Sequence, residues 1–156
     1  MKWSIQGINH IGLAPKDPIK ARWFFSELLG LSHLGDELVT SQKTLTAMFH
    51  HGKPSTDIPM PEGQRLEILI PSPLGEGPIA AFLEKKGSGI HHLALSVSQL
   101  DDLLAYLKSK SVRLIDETPR PGAHNTRIAF VHPEATGGLL VEFVEEARST
   151  PSKATD

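Results

Sequence analysis

The sequence predicts an α+β fold in which two paired βαβββ modules form one cupped mixed sheet. The first observation behind this prediction is an internal repeat: segments 7–13 and 89–95 begin 82 residues apart and carry Gly, Ile and His at matching positions. The second is that each segment is followed by a helical pattern and then by further short apolar runs. A turn-rich stretch separates the two halves, which favours a duplicated unit.

The first module is predicted to cover residues 1–72. Its first strand is followed by Asp17, a residue type that caps helix N-termini, and by Pro18, which is favoured at the first helical position. Apolar side chains then recur at helical spacing as far as Gly30, which is expected to end the helix. Further short apolar runs predict strands over 38–39, 44–49 and 65–70.

A linker with a short helix is predicted between the modules, over residues 73–88. It begins with alternating Pro, Ser and Gly, which are turn residues, and its helix over 79–86 ends at Gly87. At the other end of the second module, residues 147–156 have too little apolar content to pack. We therefore expect a mobile tail there.

The second module is predicted over residues 89–146 and repeats the pattern of the first. After its opening strand, Ser96 or Ser98 is expected to cap a helix whose leucines recur at helical spacing. The apolar runs that follow predict strands over 112–115, 127–131 and 139–144.

The composition excludes several classes of protein. The chain has 156 residues, 39% of them apolar, which is enough for a buried core. Its net charge of −2 gives no basic footprint for nucleic acid, and no apolar run is long enough for a membrane span or a signal peptide. The absence of cysteine excludes disulfides and thiolate sites, so a cytoplasmic location is expected.

Four polar residues that interrupt apolar strands are the candidate metal ligands: His10, Glu67, His92 and Glu142. His10 and His92 are equivalent in the repeat, and each half ends with a strand that carries one glutamate among hydrophobic residues. If the halves pair edge to edge, these strands meet around one centre, where two imidazoles and two carboxylates suit a divalent metal. Of the other histidines, His33, His50 and His51 are expected at the surface, and His91 is expected on the opposite sheet face as a structural group or an outer partner.

Several segments carry more specific motifs: Ile8–Gly12, Gly87–Ala94, Pro119–His124, Ile128–Pro133 and Gly137–Glu142. At these residues the sequence resembles the vicinal-oxygen-chelate superfamily, which includes glyoxalase I, extradiol dioxygenases and antibiotic-resistance binding proteins. Within it, the closest resemblance is to the methylmalonyl-CoA epimerases, and the likeness spans about residues 5–146.

The resemblance implies a divalent metal in the cup and proton transfer at C2 of a 2-methylmalonyl or related thioester. The metal ligands of the family match the four candidate ligands, with glutamate at position 67 where some epimerases have glutamine. Bacterial glyoxalase I has the same His, Glu, His, Glu set. Co, Ni, Mn and Zn all fit such ligands. Three functions therefore remain open: an epimerase, a glyoxalase I type of lyase that isomerises a hemithioacetal, and a small-molecule-binding protein without turnover.

The catalytic base is where the sequence departs from the resemblance. Some epimerases place a glutamate base on the third strand of the first module, where this chain has Thr46, and Ser41 stands where many members carry another glutamate. Hydroxyls are poor bases without activation. We therefore expect Glu142 or Glu67 to transfer the proton, as is attributed to glyoxalase I, and Thr46 to line the substrate site.

Two further expectations concern ligands and partners. The loop Gly122, Ala123, His124 precedes a strand and is suited to line the mouth of the cup, near the carboxylate or thioester of an acyl-CoA substrate. A homodimer is expected because the apolar stripe of Trp23, Phe24 and Leu28 exceeds what one sheet covers. No nucleic acid or membrane partner is expected.

Overall fold

Among the residues that the computed structural model describes, 2–50 and 64–146, eight strands form a single mixed sheet. The strands are β1 Ser4–Ala14, β2 Ser32–Val39, β3 Thr44–His50, β4 Arg65–Pro71, β5 Gly89–Ser98, β6 Arg120–Pro121, β7 Arg127–Val131 and β8 Val141–Glu145. The α-helices are α1 Pro18–Trp23, α2 Gly77–Lys86 and α3 Leu100–Ser109. The predicted α+β class is confirmed.

The strand order divides the sheet into two equivalent halves. Neighbouring strands follow the order β2-β3-β4-β1-β5-β8-β7-β6. The central strands β1 and β5 pair antiparallel, and each pairs in parallel with the last strand of its own half, β4 or β8. The remaining ladders are antiparallel. The two halves thus pair edge to edge, and the first and last strands of both meet in the middle of the sheet.

Helix α1 begins where the sequence predicts it. The Asp17 carboxylate accepts the backbone N–H of Lys20 at 2.9 Å, and Pro18 occupies the first turn, where its missing N–H costs nothing. After six residues the helix widens into a π-helical turn, Phe24–Leu28. Gly30, with φ of +69°, then turns the chain toward β2.

The predicted cap of α3 is wrong. Ser96 and Ser98 both lie in β5, which stays paired with β1 as far as Ser98 and Ser4. The Ser98 hydroxyl accepts the N–H of Ser4 at 3.0 Å and so serves the strand pair instead of the helix. The residue before α3 is Gln99, which is left-handed and makes no side-chain cap. Because β1 is long, β5 remains paired with it as far as Ser98, and the serines predicted to cap α3 are strand residues instead.

Two of the predicted strands are wrong in extent. Residues 112–115 form no strand: only Leu114 makes a single bridge, to Val131. The adjacent backbone N–H of Phe130 is taken by the Asp116 carboxylate at 2.9 Å, so a side chain replaces the ladder, and the second strand of this half is the two-residue β6. Conversely, β2 begins at Ser32, six residues earlier than predicted, because an edge strand tolerates polar residues such as His33, Asp36 and Glu37.

Helices α1 and α3 pack on the face of the sheet opposite the cup, whereas α2 packs Ile79 against Leu69, and both of these residues line the cup. Helix α3 buries Leu100, Leu103 and Leu104 completely against β5 and β8. In the first half, Phe49 and Ile68 face the α1 region, whereas α1 itself contains no fully buried residue. Because side chains alternate along a strand, the neighbours of these core residues face the opposite side.

Within the described part of the chain, no helix has the length and apolar character needed to cross a membrane. The predicted mobile tail, residues 147–156, and the predicted surface residue His51 lie outside the described residues.

Candidate metal centre

Strand register brings together the four predicted ligands, His10, Glu67, His92 and Glu142. The central β1/β5 ladder pairs His10 with Ala94 and Gly12 with His92. The two carboxylates lie in the same two rows of paired residues across the sheet. Glu67 on β4 pairs with Gly12, and Glu142 on β8 pairs with Ala94. Each ligand therefore has a counterpart at the equivalent place in the other half.

A β-bulge next to each histidine changes the simple alternation of side chains. The pairing of β1 with β5 skips Asn9 on one strand and His91 on the other, two positions that are equivalent in the repeat. A bulge inserts one extra residue and re-aims its side chain. His91 was expected on the opposite sheet face, but its Nδ1 lies 3.0 Å from Nδ1 of His92.

The ligand atoms converge on one buried point. The Nε2 atom of His10 lies 2.9 Å from Nε2 of His92, 3.3 Å from Oε2 of Glu67 and 3.2 Å from Oε2 of Glu142. From Nε2 of His92, the same two carboxylate oxygens are 3.5 and 3.2 Å away. All four residues are 5–6% exposed, so these polar atoms face one another and not solvent.

These distances fit a divalent metal. Ligand atoms about 2.0–2.2 Å from one ion are roughly 3.0–3.4 Å apart, depending on whether the geometry is octahedral or tetrahedral. The observed separations are 2.9–3.5 Å, and His10, Glu67 and His92 form a group whose ligand atoms all lie within 4.8 Å of one another. Two imidazoles and two carboxylates suit first-row divalent ions and leave positions for substrate oxygens.

The outer nitrogen of each histidine has its own partner, which orients the ring. Nδ1 of His10 lies 2.8 Å from the amide oxygen of Asn9, whose own amide nitrogen donates to Ser96 at 3.0 Å. Nδ1 of His92 faces His91, and burial together with the charge of His92 lowers the pKa of His91 to about 4, so that ring stays neutral. Such partners leave both Nε2 atoms as the metal-facing ones.

Two ligands have strongly perturbed protonation. Burial alone would lower the pKa of His10, but its contacts with Glu142 and Glu67 outweigh that effect and raise the pKa to about 9. Burial would raise the pKa of Glu142, but hydrogen bonds from His10 and His92 lower it to about 2. In the metal-free protein a proton on His10 thus occupies the place of positive charge that a metal would take.

A small cavity of about 50 Å³ lies above the ligands and opens to solvent. Besides the four ligands, its wall includes Thr46 from β3 and the loop residues Ala123 and His124. Gly122 does not line it: a Cβ there would lie 2.5 Å from Ile128 and 2.7 Å from Thr126, so this glycine permits the tight packing of the loop. Three of the four residues predicted to bind substrate therefore face the cavity.

The other described histidines, His33, His50 and His132, do not line the cavity. His33 is exposed on β2 and its Nε2 lies 2.7 Å from Asp36, as expected for a surface residue. His50 ends β3 and is half-buried.

Two contributors to the site were missed at the sequence level. Asn9 orients His10, and its equivalence to His91 in the repeat was a signal that could have found it. Glu37 on β2 accepts the N–H of His124 and has no counterpart in the repeat. No local pattern connects two residues 87 positions apart, so Glu37 is visible only in the folded chain.

Comparisons with known proteins agree with this fold. Residues 9–130 match the Glyoxalase/Bleomycin resistance protein/Dioxygenase superfamily. The mitochondrial methylmalonyl-CoA epimerase of Bos taurus is 32% identical over 142 residues, which are 90% of this chain and 74% of that protein.

Solved structures agree as well. A crystal structure of methylmalonyl-CoA epimerase from Mycobacterium tuberculosis has a TM-score of 0.81 and 33% identity, and the match covers 92% of this chain and 90% of that one. A methylmalonyl-CoA epimerase in complex with methylmalonyl-CoA and NH4+ has a TM-score of 0.80 and 29% identity, with 92% and 96% covered.

The two-module sheet with its central ligand set is the architecture of a superfamily of small metal-dependent enzymes and binding proteins. The chain belongs to the Glyoxalase/Bleomycin resistance protein/Dioxygenase superfamily and, within it, to the methylmalonyl-CoA epimerases. The resemblance noted from the sequence is confirmed, and with it the prediction of an isomerase.

Proposed function

We propose that this chain interconverts the C2 epimers of methylmalonyl-CoA, or of a closely related 2-alkylmalonyl thioester, with a divalent metal held by His10, Glu67, His92 and Glu142. The observation that carries the proposal is the convergence of four buried ligand atoms below an open cavity, in a chain related to epimerases over nine-tenths of its length. A fold used only for binding has little need to bury two carboxylates.

The reaction requires removal of the C2 proton and its return to the other face. That C–H bond lies between a thioester and a carboxylate, and loss of the proton gives a planar carbanion conjugated with the thioester carbonyl. A divalent cation at this site supplies positive charge next to the oxygens on which negative charge develops. The chain must in addition provide a group that accepts the proton on one face and a group that returns it on the other.

Glu67 and Glu142 are the proposed proton-transfer groups. They occupy β4 and β8, on opposite sides of the central β1/β5 pair, and so approach the centre from the two modules. Both are buried, and the hydrogen bonds that lower the pKa of Glu142 keep it ionised at neutral pH. A carboxylate from each half matches a reaction that needs one group on each face.

Thr46, Ala123 and His124 are the proposed contacts to the malonyl group of the substrate. All three line the cavity from different directions, Thr46 from the first module and the loop from the second. Gly122 is proposed to contribute indirectly to substrate binding, because its lack of a side chain allows the loop to pack against Ile128.

The decisive experiment is exchange of the C2 proton of methylmalonyl-CoA in deuterated water, followed by NMR or mass spectrometry. The proposal expects metal-dependent deuterium incorporation together with inversion of the 2S and 2R epimers. A parallel assay uses the hemithioacetal of methylglyoxal and glutathione. Turnover there without C2 exchange would replace the proposal by a glyoxalase I type of lyase, and binding of either compound without reaction would indicate a binding protein.

The metal requirement is tested on the same protein with His92→Ala. This variant removes a ligand whose side chain is 4% exposed and leaves three, so stoichiometric metal should be lost with the C2 exchange. Elemental analysis after dialysis would also identify which of Co, Ni, Mn or Zn is retained. Full retention in the variant would exclude this site as the metal centre.

Two further parts of the proposal concern the setting of the protein. A cytoplasmic location remains a prediction from composition, and cell fractionation tests it. A homodimer also remains a prediction, and its physical basis is argued at the scale of the whole molecule below. Neither affects the assignment of the ligands.

A further inference from the structure

One contact joins the two ends of the sheet. Strand β2 is the last strand at one end and β6 is the last at the other. The 3-10 turn Ala123–Asn125, which follows β6, reaches back to β2, where the N–H of His124 donates to Oε2 of Glu37 at 2.6 Å. The imidazole Nδ1 of His124 lies 3.5 Å from the same oxygen. The contact therefore closes the curved sheet into a ring around the cavity.

The loop needs this support because its backbone is strained. His124 has φ of 55° and ψ of 38°, and Asn125 has φ of 57°, so two consecutive residues that are not glycine are left-handed. Residues with a Cβ avoid this region unless surrounding contacts hold them there. A charged oxygen accepting the N–H of His124 is such a contact, and charge-assisted hydrogen bonds are the stronger ones.

The backbone of Glu37 is held from the side of the cavity. Glu37 lies directly opposite Thr46 in the β2/β3 ladder, and the Thr46 hydroxyl donates to the backbone carbonyl of Glu37 at 3.3 Å. Thr46 and the loop residues Ala123 and His124 all line the cavity. Glu37 thus connects the two walls that face each other across the mouth.

We infer that Glu37 is a positioning residue that holds the loop of residues 122–126 over the malonyl group of the substrate. The inference rests on the proposed function for the identity of the substrate. Among the described residues, the Glu37 carboxylate bonds to His124 and to none of the four metal ligands. Its loss should therefore weaken substrate binding more than it slows proton transfer.

The kinetic test compares three variants in the C2 exchange assay. Glu37→Ala should raise KM roughly tenfold, the scale of one lost charge-assisted hydrogen bond, with kcat within about threefold of the parent. Glu37→Gln keeps an oxygen that accepts the N–H and should restore KM to within about threefold. Asp36→Ala is the matched control, because it removes the adjacent carboxylate of β2, which pairs with Arg22 and His33 outside the cavity, and its KM should not change.

A second variant separates loop positioning from any other role of Glu37. Glycine adopts the left-handed conformation without strain, so in a His124→Gly background the loop depends less on Glu37. Adding Glu37→Ala to His124→Gly should raise KM by clearly less than it does in the parent. Equal effects in both backgrounds would overturn the inference.

A readout that is independent of activity keeps this test distinct from that of the proposed function. Amide hydrogen exchange at His124, measured by NMR, should be slow in the parent and in Glu37→Gln, and at least tenfold faster in Glu37→Ala. Unchanged exchange, or a kcat loss at constant KM, would overturn the role of Glu37 even if the chain is an epimerase. Faster exchange in Glu37→Ala than in the parent, found for a parent that does not react with methylmalonyl-CoA, would keep the positioning role and reject the substrate.

Discussion

Gly12 is the residue whose missing side chain makes room for a ligand. It lies opposite His92 in the central ladder, and a Cβ there would come within 2.2–2.8 Å of three atoms of the His92 ring. Carbon atoms do not approach so closely, and the ring is fixed on its other side by the ligands and by His91. The equivalent position in the other half is Ala94, opposite His10, so only one of the two histidines requires a glycine.

Gly12→Ala should therefore displace His92 and weaken metal affinity about 10- to 100-fold, the usual scale for disturbing the orientation of a ligand. Competition with a chromophoric chelator measures this affinity. Gly89→Ala is the matched control, because Gly89 belongs to the same ladder and a Cβ there would meet nothing within 4 Å. Equal affinities in both variants would mean that the His92 ring does not stand where metal binding needs it.

Thr46 and Glu142 make a second contrast at the scale of single residues. The Thr46 hydroxyl is buried and already donates its proton to a backbone carbonyl, and a neutral hydroxyl without activation is a poor base. Thr46→Ala should leave C2 exchange within about tenfold of the parent, as for loss of one secondary hydrogen bond. Glu142→Gln, which keeps an oxygen ligand but removes a base, should cost about a hundredfold or more. The reverse order of effects, measured at equal metal occupancy, would assign the chemistry to the β3 strand.

The site residues could be predicted from the sequence only where both copies of the internal repeat carry the same residue type at equivalent positions. His10 and His92 stand at equivalent positions, and each has a glutamate on the last strand of its half. A single polar residue in a strand is weak evidence for a metal ligand, but the same pair of residue types in both halves is strong evidence. The bulges at Asn9 and His91 were not predictable, because a pattern of alternation assumes a regular ladder. Glu37 was not predictable, because its role arises from a contact between the two ends of the sheet.

At the scale of elements, the two equivalent helices differ in what stabilises them. Helix α3 buries three leucines completely and has no side-chain cap, whereas α1 contains no fully buried residue and is capped by Asp17. A six-residue helix is far too short to be stable alone, so its cap carries a large share of its stability.

Asp17→Ala should lower the free energy of unfolding by about 1 kcal/mol, a usual cost for a lost N-cap. This corresponds to a Tm decrease of roughly 2–4 °C for a chain of this size, measured by thermal unfolding. Asp17→Asn keeps an acceptor oxygen and should lose only a small part of that stability. A Tm that is unchanged in Asp17→Ala would mean that packing of the following π turn, and not the cap, holds α1 in place.

How well each strand could be predicted from the sequence depends on how far the strand is buried. Strands with apolar cores, such as β3 and β4, were found almost to the residue, because burial dictates their composition. The edge strand β2 was underestimated because polar residues are acceptable there. Residues 112–115 are apolar enough for a strand, but the Asp116 side chain takes the hydrogen bond that a ladder would need.

At the scale of the whole molecule, apolar surface remains uncovered along the α1 region. Trp23 is 51% exposed, Phe24 45% and Leu28 56%, and Leu29 beside them is 54% exposed. Neighbouring exposed apolar side chains of this size are typical of an association surface.

We therefore predict a homodimer that covers this stripe. Sedimentation equilibrium at micromolar concentration should give about twice the 17.0 kDa of the chain, and Phe24→Glu should shift the distribution toward monomer. Leu74→Glu is a control, because Leu74 is 82% exposed in the turn before α2, away from the stripe. A parent that sediments as a monomer would reject the dimer.

A bound metal would also stabilise the whole molecule, because its ligands come from both modules and would link the four central strands. In the metal-free protein the place of the metal is taken by a proton on His10, whose pKa is raised to about 9. That proton stabilises the fold fully below pH 6.5, the ordinary pKa of histidine, and the stabilisation is lost as pH rises through 9. Glu142, with a pKa lowered to about 2, is already ionised over this range and contributes no change.

Metal binding must displace this proton, so between pH 6.5 and 9 the metal-free protein should lose stability as pH rises, whereas the metal-bound protein, in which His10 carries no proton, should keep a constant stability. Between pH 6.5 and 9, apparent metal affinity should rise about tenfold per pH unit, and the Tm gained on adding buffered metal should grow by roughly 2–4 °C per unit. Thermal unfolding with EDTA and with a metal buffer, at several pH values, measures both. His10→Asn removes the titrating group and should flatten the pH dependence of the Tm measured with EDTA. A Tm gain that is constant with pH in the parent would show that His10 carries no proton for the metal to displace.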